Sequence, residues 1–121
     1  MTTRLFVYGT LAPGDDAWSV LAPWTVGEPV ADAVPGVLFD TGRGYPAATF
    51  AVASAEVVHG VVVAIDPARE ADGLAALDRY EGPEYERVTV ETVGAVRAFA
   101  YAWIGGDPAG RPVPGGRWAV S

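Results

Sequence analysis

Short segments rich in β-branched residues run through the chain, and this pattern limits the possible folds more than any other feature. The clearest segment is Val57–Ile65, which is almost continuously apolar and is typical of a strand covered on both faces. Further strands are predicted at residues 5–8, 26–34, 37–39, 85–91 and 95–104. About six short strands in a chain of this length favour a closed or strongly bent sheet, because closure leaves no unpaired edge.

Glycine and proline mark the predicted connections. The dipeptide Pro35-Gly36 predicts a turn between the strands at residues 26–34 and 37–39. Residues 13–16 and 105–116 are rich in both residue types and predict loops. The loop at 105–116 is long for a compact domain, so we expect it to be either a functional lid or a partly mobile segment.

One helix has clear signals at both ends. Asp66 can cap it, and Pro67 occupies the first helical position, where the missing N–H costs nothing. The dipeptide Gly82-Pro83 predicts its end. A weaker helix is predicted at residues 16–21, before Pro23.

Length and charge narrow the classes of function. A chain of 121 residues predicts a single domain with one core. The chain has eight arginines and 15 carboxylate side chains, for a net charge of -7, which argues against binding nucleic acid or an anionic membrane surface.

The absence of cysteine excludes a thiol nucleophile and a cysteine-based zinc site. We find neither a signal-peptide pattern nor an apolar run long enough to cross a membrane, so we expect a cytoplasmic protein.

Glu81 is the strongest candidate for chemistry from spacing alone. It follows Leu74 by seven residues and Leu77 by four, which places all three on one helix face. Burial and the negative end of the helix dipole would both raise its pKa, as a general acid/base requires. The alternative is that Glu81 turns outward, or pairs with Arg79 or Arg87.

The segment Tyr8-Gly9-Thr10-Leu11 ends the first predicted strand. Gly9 allows either a close backbone approach or a positive φ, and successive N–H groups there can bind an anion. An ordinary turn at the end of a strand would leave the same pattern, so these residues alone carry little weight.

With these motifs the chain resembles the γ-glutamylcyclotransferase-like superfamily, in particular its AIG2-like and γ-glutamylamine cyclotransferase-like branch. The resemblance covers nearly the whole chain, and it is the order and spacing of the motifs that make it specific. The matching motifs are LFVYGTL at residues 5–11, GYPA at 44–47, HG at 59–60, LDRYEG at 77–82, YERVTV at 85–90, AYAW at 100–103 and PGGRW at 114–118.

The resemblance implies an α+β fold, a small mixed β-barrel of about six strands with one main helix packed against it. Residues 1–121 would form that single domain. It also implies release of 5-oxoproline from a small-molecule γ-glutamyl substrate, without metal or cofactor. Glu81 matches the catalytic glutamate of the family. The residues that match its substrate-binding positions are Tyr8, Gly9, Thr10, Leu11 and Tyr101, with Tyr45 and Tyr85 as weaker candidates for the pocket wall.

Other chemistry-bearing residues have simpler interpretations. His59 lies in an apolar strand, and no serine sits in a nucleophile-elbow sequence, so we expect a structural histidine. Glu84 and Glu86 are expected on a solvated rim. Arg43 and Arg111, both in glycine-rich loops, are candidates to meet a substrate carboxylate.

Two other functions stay open at this point. The chain could remove a γ-glutamyl protecting group from a biosynthetic intermediate, or it could be a catalytically silent barrel that binds a small metabolite or a protein. The sequence does not identify the leaving amine or the oligomeric state.

Overall fold

The strands form one mixed sheet that closes almost completely into a barrel. The computed structural model describes residues 2–15, 17–106 and 110–118. The strands are β1 (Arg4–Val7), β2 (Thr25–Asp40), β3 (Pro46–Phe50), β4 (Val57–Ile65), β5 (Tyr85–Glu91), β6 (Arg97–Trp103) and β7 (Arg111–Pro112). Their order is β3-β2-β4-β1-β6-β5, with β7 paired to β2 and the β1–β6 pair parallel. Because β3 approaches β6, the sheet nearly closes, and the predicted mixed barrel is confirmed.

In the part of the chain that the structure describes, two α-helices accompany the barrel, α1 (Trp18–Leu21) and α2 (Glu70–Glu81). The weaker predicted helix is therefore present as α1, although Asp16 lies outside the described residues. Residues 107–109 of the predicted long loop also lie outside them. No helix within the described ranges combines the length and apolar character that crossing a bilayer requires.

The predicted turn at Pro35-Gly36 is wrong, because both residues lie inside the continuous strand β2. At this point β2 changes partner: Pro35 pairs with Val57 of β4, whereas Gly36 pairs with Phe50 of β3. Gly36 is needed for close approach rather than for a turn, since a Cβ there would lie 2.3 Å from the Thr49 carbonyl oxygen.

Strand bounds elsewhere differ modestly from the prediction. Residues 95–96 belong to a tight turn rather than to β6, because the N–H of Val96 donates to the side chain of Thr92. Strands β3 and β7 were not predicted, since each is short and begins or ends in glycine- and proline-rich sequence.

Strand β1 contributes to two hydrophobic layers. Phe6, together with Tyr8 just after the strand, points into the barrel and packs with Leu38. Leu5 and Val7 point to the opposite side and pack under the helices, as the two-residue period of a strand requires. The chain just after β1 therefore emerges between the barrel interior and the helical layer.

The sequence predicts the end of helix α2 correctly, but α2 itself begins at Glu70, three residues after the predicted first helical position at Pro67. The carboxylate of Asp66 accepts a hydrogen bond of 3.0 Å from the Ala68 N–H and caps a 3-10 turn, Pro67–Arg69, that leads into the helix. Leu77 is completely buried against the barrel. The helix stops at Gly82, whose φ is 77°. This ending places the last turn of α2 beside the end of β1.

We expect Gly36→Ala to lower the free energy of unfolding by about 3 kcal/mol, because the added methyl group meets backbone atoms that cannot move aside. Gly42→Ala is the matched control. A Cβ at Gly42 meets no atom within 4 Å, and only its φ of +79° opposes the change, at about 1 kcal/mol. Urea denaturation measures both, and equal losses would contradict the close-approach explanation.

Candidate active site

A cavity of about 340 Å³ opens where β1 ends, between the following loop, the last turn of α2 and the start of β3. The structure brings together at this cavity the eight residues that match the catalytic and substrate-binding positions of the family in the sequence. They are Tyr8, Gly9, Thr10, Leu11, Tyr45, Glu81, Tyr85 and Tyr101. Its volume lies at the small end of the range for ligand pockets, which suits a small molecule.

Glu81 stands in this cavity as a largely buried carboxyl group. Burial raises its pKa to about 7. Neither proposed partner binds it: Arg79 makes no ion pair with a described residue, and the Nε of Arg87 lies 3.2 Å from Asp78 instead. Within the described ranges the Glu81 side chain makes no hydrogen bond or ion pair, and the residue lines the cavity.

Three tyrosines surround this carboxyl group. Burial is the largest cause that raises the pKa of Tyr8, Tyr85 and Tyr101 well above the usual range. The charge of Glu81 adds to the shift at each of them, although the neighbouring Tyr85 contributes more at Tyr8, and the hydrogen bond to Asp78 contributes more at Tyr101. The three tyrosines therefore remain neutral at physiological pH.

Each of these hydroxyl groups already donates to an acceptor in the protein. Tyr8 donates to the Tyr101 carbonyl oxygen at 2.6 Å, and Tyr85 donates to that of Pro46 at 2.6 Å. Tyr101 donates to Oδ1 of Asp78 at 2.7 Å. With these protons engaged, the rings serve as rigid walls, and Glu81 is the cavity group best suited to exchange a proton near neutral pH.

The loop after β1 lines the cavity. A Cβ on Gly9 would lie 2.6 Å from Cγ of Pro46, so only glycine lets this loop approach β3. The carbonyl oxygens of Gly9 and Thr10 accept bonds from Ala12 and Ala17, at 3.0 and 2.8 Å. The N–H groups of residues 9–11 donate to no other described residue, which makes them candidate donors to an anionic oxygen.

The mouth of the cavity carries residues that the sequence did not assign to the site. Glu86 is exposed on β5, as the sequence predicts for a solvated side chain. Glu84 is partly exposed but also lines the cavity, which the sequence did not predict. Tyr80 also lines the mouth. Their positions beside Glu81 and Tyr85 are the one signal that could have indicated them.

The remaining candidate residues differ in whether they lie near the cavity. The guanidinium of Arg43 lies 3.2 Å from Glu84 at the mouth, but Arg111 belongs to β7 and does not line the cavity. His59 is half-buried in β4, paired with Ala33 and away from the site. In the part of the chain that the structure describes, no group of three or more histidine, aspartate or glutamate side chains could hold a metal ion.

Comparisons with known proteins identify the family. The family model described as "Gamma-glutamyl cyclotransferase, AIG2-like" matches residues 5–120. The chain belongs to this family. The resemblance seen in the sequence is thereby confirmed, and membership in the AIG2-like family points to cyclotransferase activity on a small molecule.

Solved structures agree on the fold. YkqA from Bacillus subtilis superposes with a TM-score of 0.75 at 25% identity, covering 98% of this chain and 40% of that one. An AIG2-like protein from Mus musculus gives a TM-score of 0.72 at 20% identity, with 88% and 80% covered. The protein At5g39720.1 from Arabidopsis thaliana gives a TM-score of 0.62 at 31% identity, with 88% and 72% covered. No curated protein matches the sequence significantly.

We expect Glu81→Gln to stabilise the protein at pH 8 by on the order of 2 kcal/mol, because glutamine avoids the cost of an ionised buried carboxylate. The unfolded chain ionises this group near pH 4.5 and the folded chain near 7. Wild-type stability therefore falls as pH rises between these values, and the advantage of the variant disappears below about pH 4.5. Urea denaturation at pH 4 and pH 8 measures the difference.

Glu86→Gln, at an exposed position on β5, is the control and should change stability little at either pH. A Glu81→Gln variant less stable than wild type at pH 8 would mean that the carboxylate makes a stabilising contact, contrary to this description.

Proposed function

We propose that the protein converts a γ-glutamyl compound into 5-oxoproline and a free amine, with Glu81 as general acid/base. The observation that carries the proposal is the Glu81 carboxyl group, which lines the cavity without a described partner and has a pKa of about 7. A group with such a pKa accepts and donates protons equally well near neutral pH, as a two-step proton transfer requires.

The proposed reaction needs no external nucleophile. Ionised Glu81 takes a proton from the substrate α-ammonium group, and the freed amine attacks the γ-carbonyl carbon of the same molecule. A C–N bond forms and closes the five-membered ring. Glu81 then gives this proton to the leaving nitrogen as the original C–N bond breaks. The ring nitrogen still carries a second proton, which the Glu81 carboxylate removes and passes to the released amine. The products are therefore 5-oxoproline with a neutral ring nitrogen and an ammonium ion, and Glu81 is ionised again, so atoms and charges balance.

The rest of the cavity supplies orientation. The rings of Tyr8, Tyr85 and Tyr101 are held by their own hydrogen bonds and can press the substrate into the folded shape that ring closure needs. The amides of residues 9–11 can bind either the substrate α-carboxylate or the oxyanion that develops during the attack.

The two other functions left open by the sequence differ in what supports them. A silent binding barrel would be favoured by a salt-bridged Glu81 and no cavity beside Gly9, and neither feature is present among the described residues. Removal of a protecting group would use the same ring closure and differ only in the leaving amine, so it is a special case of this proposal.

We expect the purified protein to release 5-oxoproline from at least one member of a panel of γ-glutamyl amines, amides and peptides, detected by mass spectrometry. Glu81→Gln should lower kcat by about 100- to 10,000-fold, because the proton shuttle is lost. Glu86→Gln is the matched control and should keep wild-type activity. Undiminished product from Glu81→Gln would remove Glu81 from the mechanism.

The rate should depend on pH through the same group. Because Glu81 must be ionised to accept the first proton, kcat/KM should rise from pH 5 and level off above a midpoint near 7. Below that midpoint the slope should be about tenfold per pH unit. A profile that stays flat from pH 5 to 8 would contradict a base with this pKa.

A further inference from the structure

Arg43 lies at the rim of the cavity mouth. Its Nη2 is 3.2 Å from Oε2 of Glu84, and its Cζ is 5.2 Å from the ring centroid of Tyr45; both of these residues line the cavity. The same guanidinium is 6.0 Å from the Trp103 ring. The Arg43 and Glu84 side chains are 54% and 39% exposed, which places the pair where solvent enters rather than at the inner end.

The loop that carries Arg43 is held by local hydrogen bonds. The hydroxyl of Thr41 donates to the Tyr45 carbonyl oxygen at 2.7 Å and accepts from the Arg43 N–H at 3.3 Å. The carboxylate of Asp40 accepts from the Gly42 N–H at 2.8 Å. A cation on such a fixed turn loses little conformational entropy when it binds a ligand.

The charges around the cavity mouth favour one kind of substrate group beside Arg43. The ionisable carboxyl groups that line the cavity are Glu81 and Glu84, and no arginine lines it among the described residues. An anionic group entering the mouth therefore needs a nearby cation. Arg43 donates to Glu84 through Nη2, and the Arg43 guanidinium has further N–H groups that can bind a second carboxylate.

A cationic group on the substrate would gain less binding free energy than an anionic one at the cavity mouth. The guanidinium of Arg43 already neutralises Glu84 and already lies against the rings of Tyr45 and Trp103. A second cation would have to displace it in order to use the same carboxylate and ring faces.

We propose that Arg43 selects γ-glutamyl compounds whose leaving amine carries its own carboxylate, as the amine of an amino acid or peptide does. The inference rests on the proposed function. If the γ-glutamyl group occupies the inner end beside Glu81 and the amides of residues 9–11, the leaving group extends toward the mouth. A carboxylate on that leaving group would then meet the Arg43 guanidinium.

The test compares three substrates of similar size: γ-glutamylglycine, γ-glutamylethylamine and the singly γ-glutamylated ethylenediamine. We expect wild type to prefer γ-glutamylglycine in kcat/KM. Arg43→Gln should lower the ratio of kcat/KM for γ-glutamylglycine over γ-glutamylethylamine by about tenfold, because one charge-assisted contact is lost. Arg111→Gln, outside the cavity, is the matched control and should leave the ratio unchanged.

Calorimetry in the Glu81→Gln background tests the same contact without turnover. Adding Arg43→Gln should weaken the binding of γ-glutamylglycine by about tenfold and that of γ-glutamylethylamine much less. Equal losses for both substrates, or a wild-type preference for the diamine compound, would overturn the role of Arg43. Failure of all three substrates to yield 5-oxoproline would count against the proposed function, and the binding comparison would still decide the role of Arg43.

Discussion

The burial of β1 on both of its faces is the constraint from which the position of the candidate site follows. Phe6 fills the barrel while Leu5 and Val7 support the helices, so the strand cannot shift by one residue without reversing both layers. The chain leaves β1 between these layers, and Gly9 lets it pass against Pro46. The cavity is the space that remains beside this loop.

The same helical layer brings a carboxyl group into the cavity. Leu77 anchors the last turns of α2 against the barrel, and Glu81 lies one turn further on the same face. A buried carboxylate without a cation is costly, so the group holds its proton to about pH 7 instead. The free energy of unfolding is therefore lower at high pH, and such a loss of stability is typical of functional sites.

Local signals predicted a large part of the fold, whereas most of the candidate site residues came from the resemblance to the family. Helix α2 was predicted by its cap and its stop, and β4 by its apolar run, because both depend on neighbouring residues. The continuity of β2 through Gly36 was not predicted, since a change of sheet partner is a tertiary event with the same residue types as a turn.

The candidate site also contains one feature that local sequence predicts and one that it does not. The helical period placed Glu81 inward, but the mouth formed by Glu84 and Arg43 joins two loops 41 residues apart and leaves no periodic trace. Glu81 is a carboxyl group with a pKa near 7 inside the cavity, and the proposed reaction depends on this pKa. A ¹³C NMR titration of its carboxyl carbon, assigned by its loss in Glu81→Gln, tests this claim most directly. We expect a midpoint near pH 7, and a midpoint near 4.5 would contradict a raised pKa of Glu81.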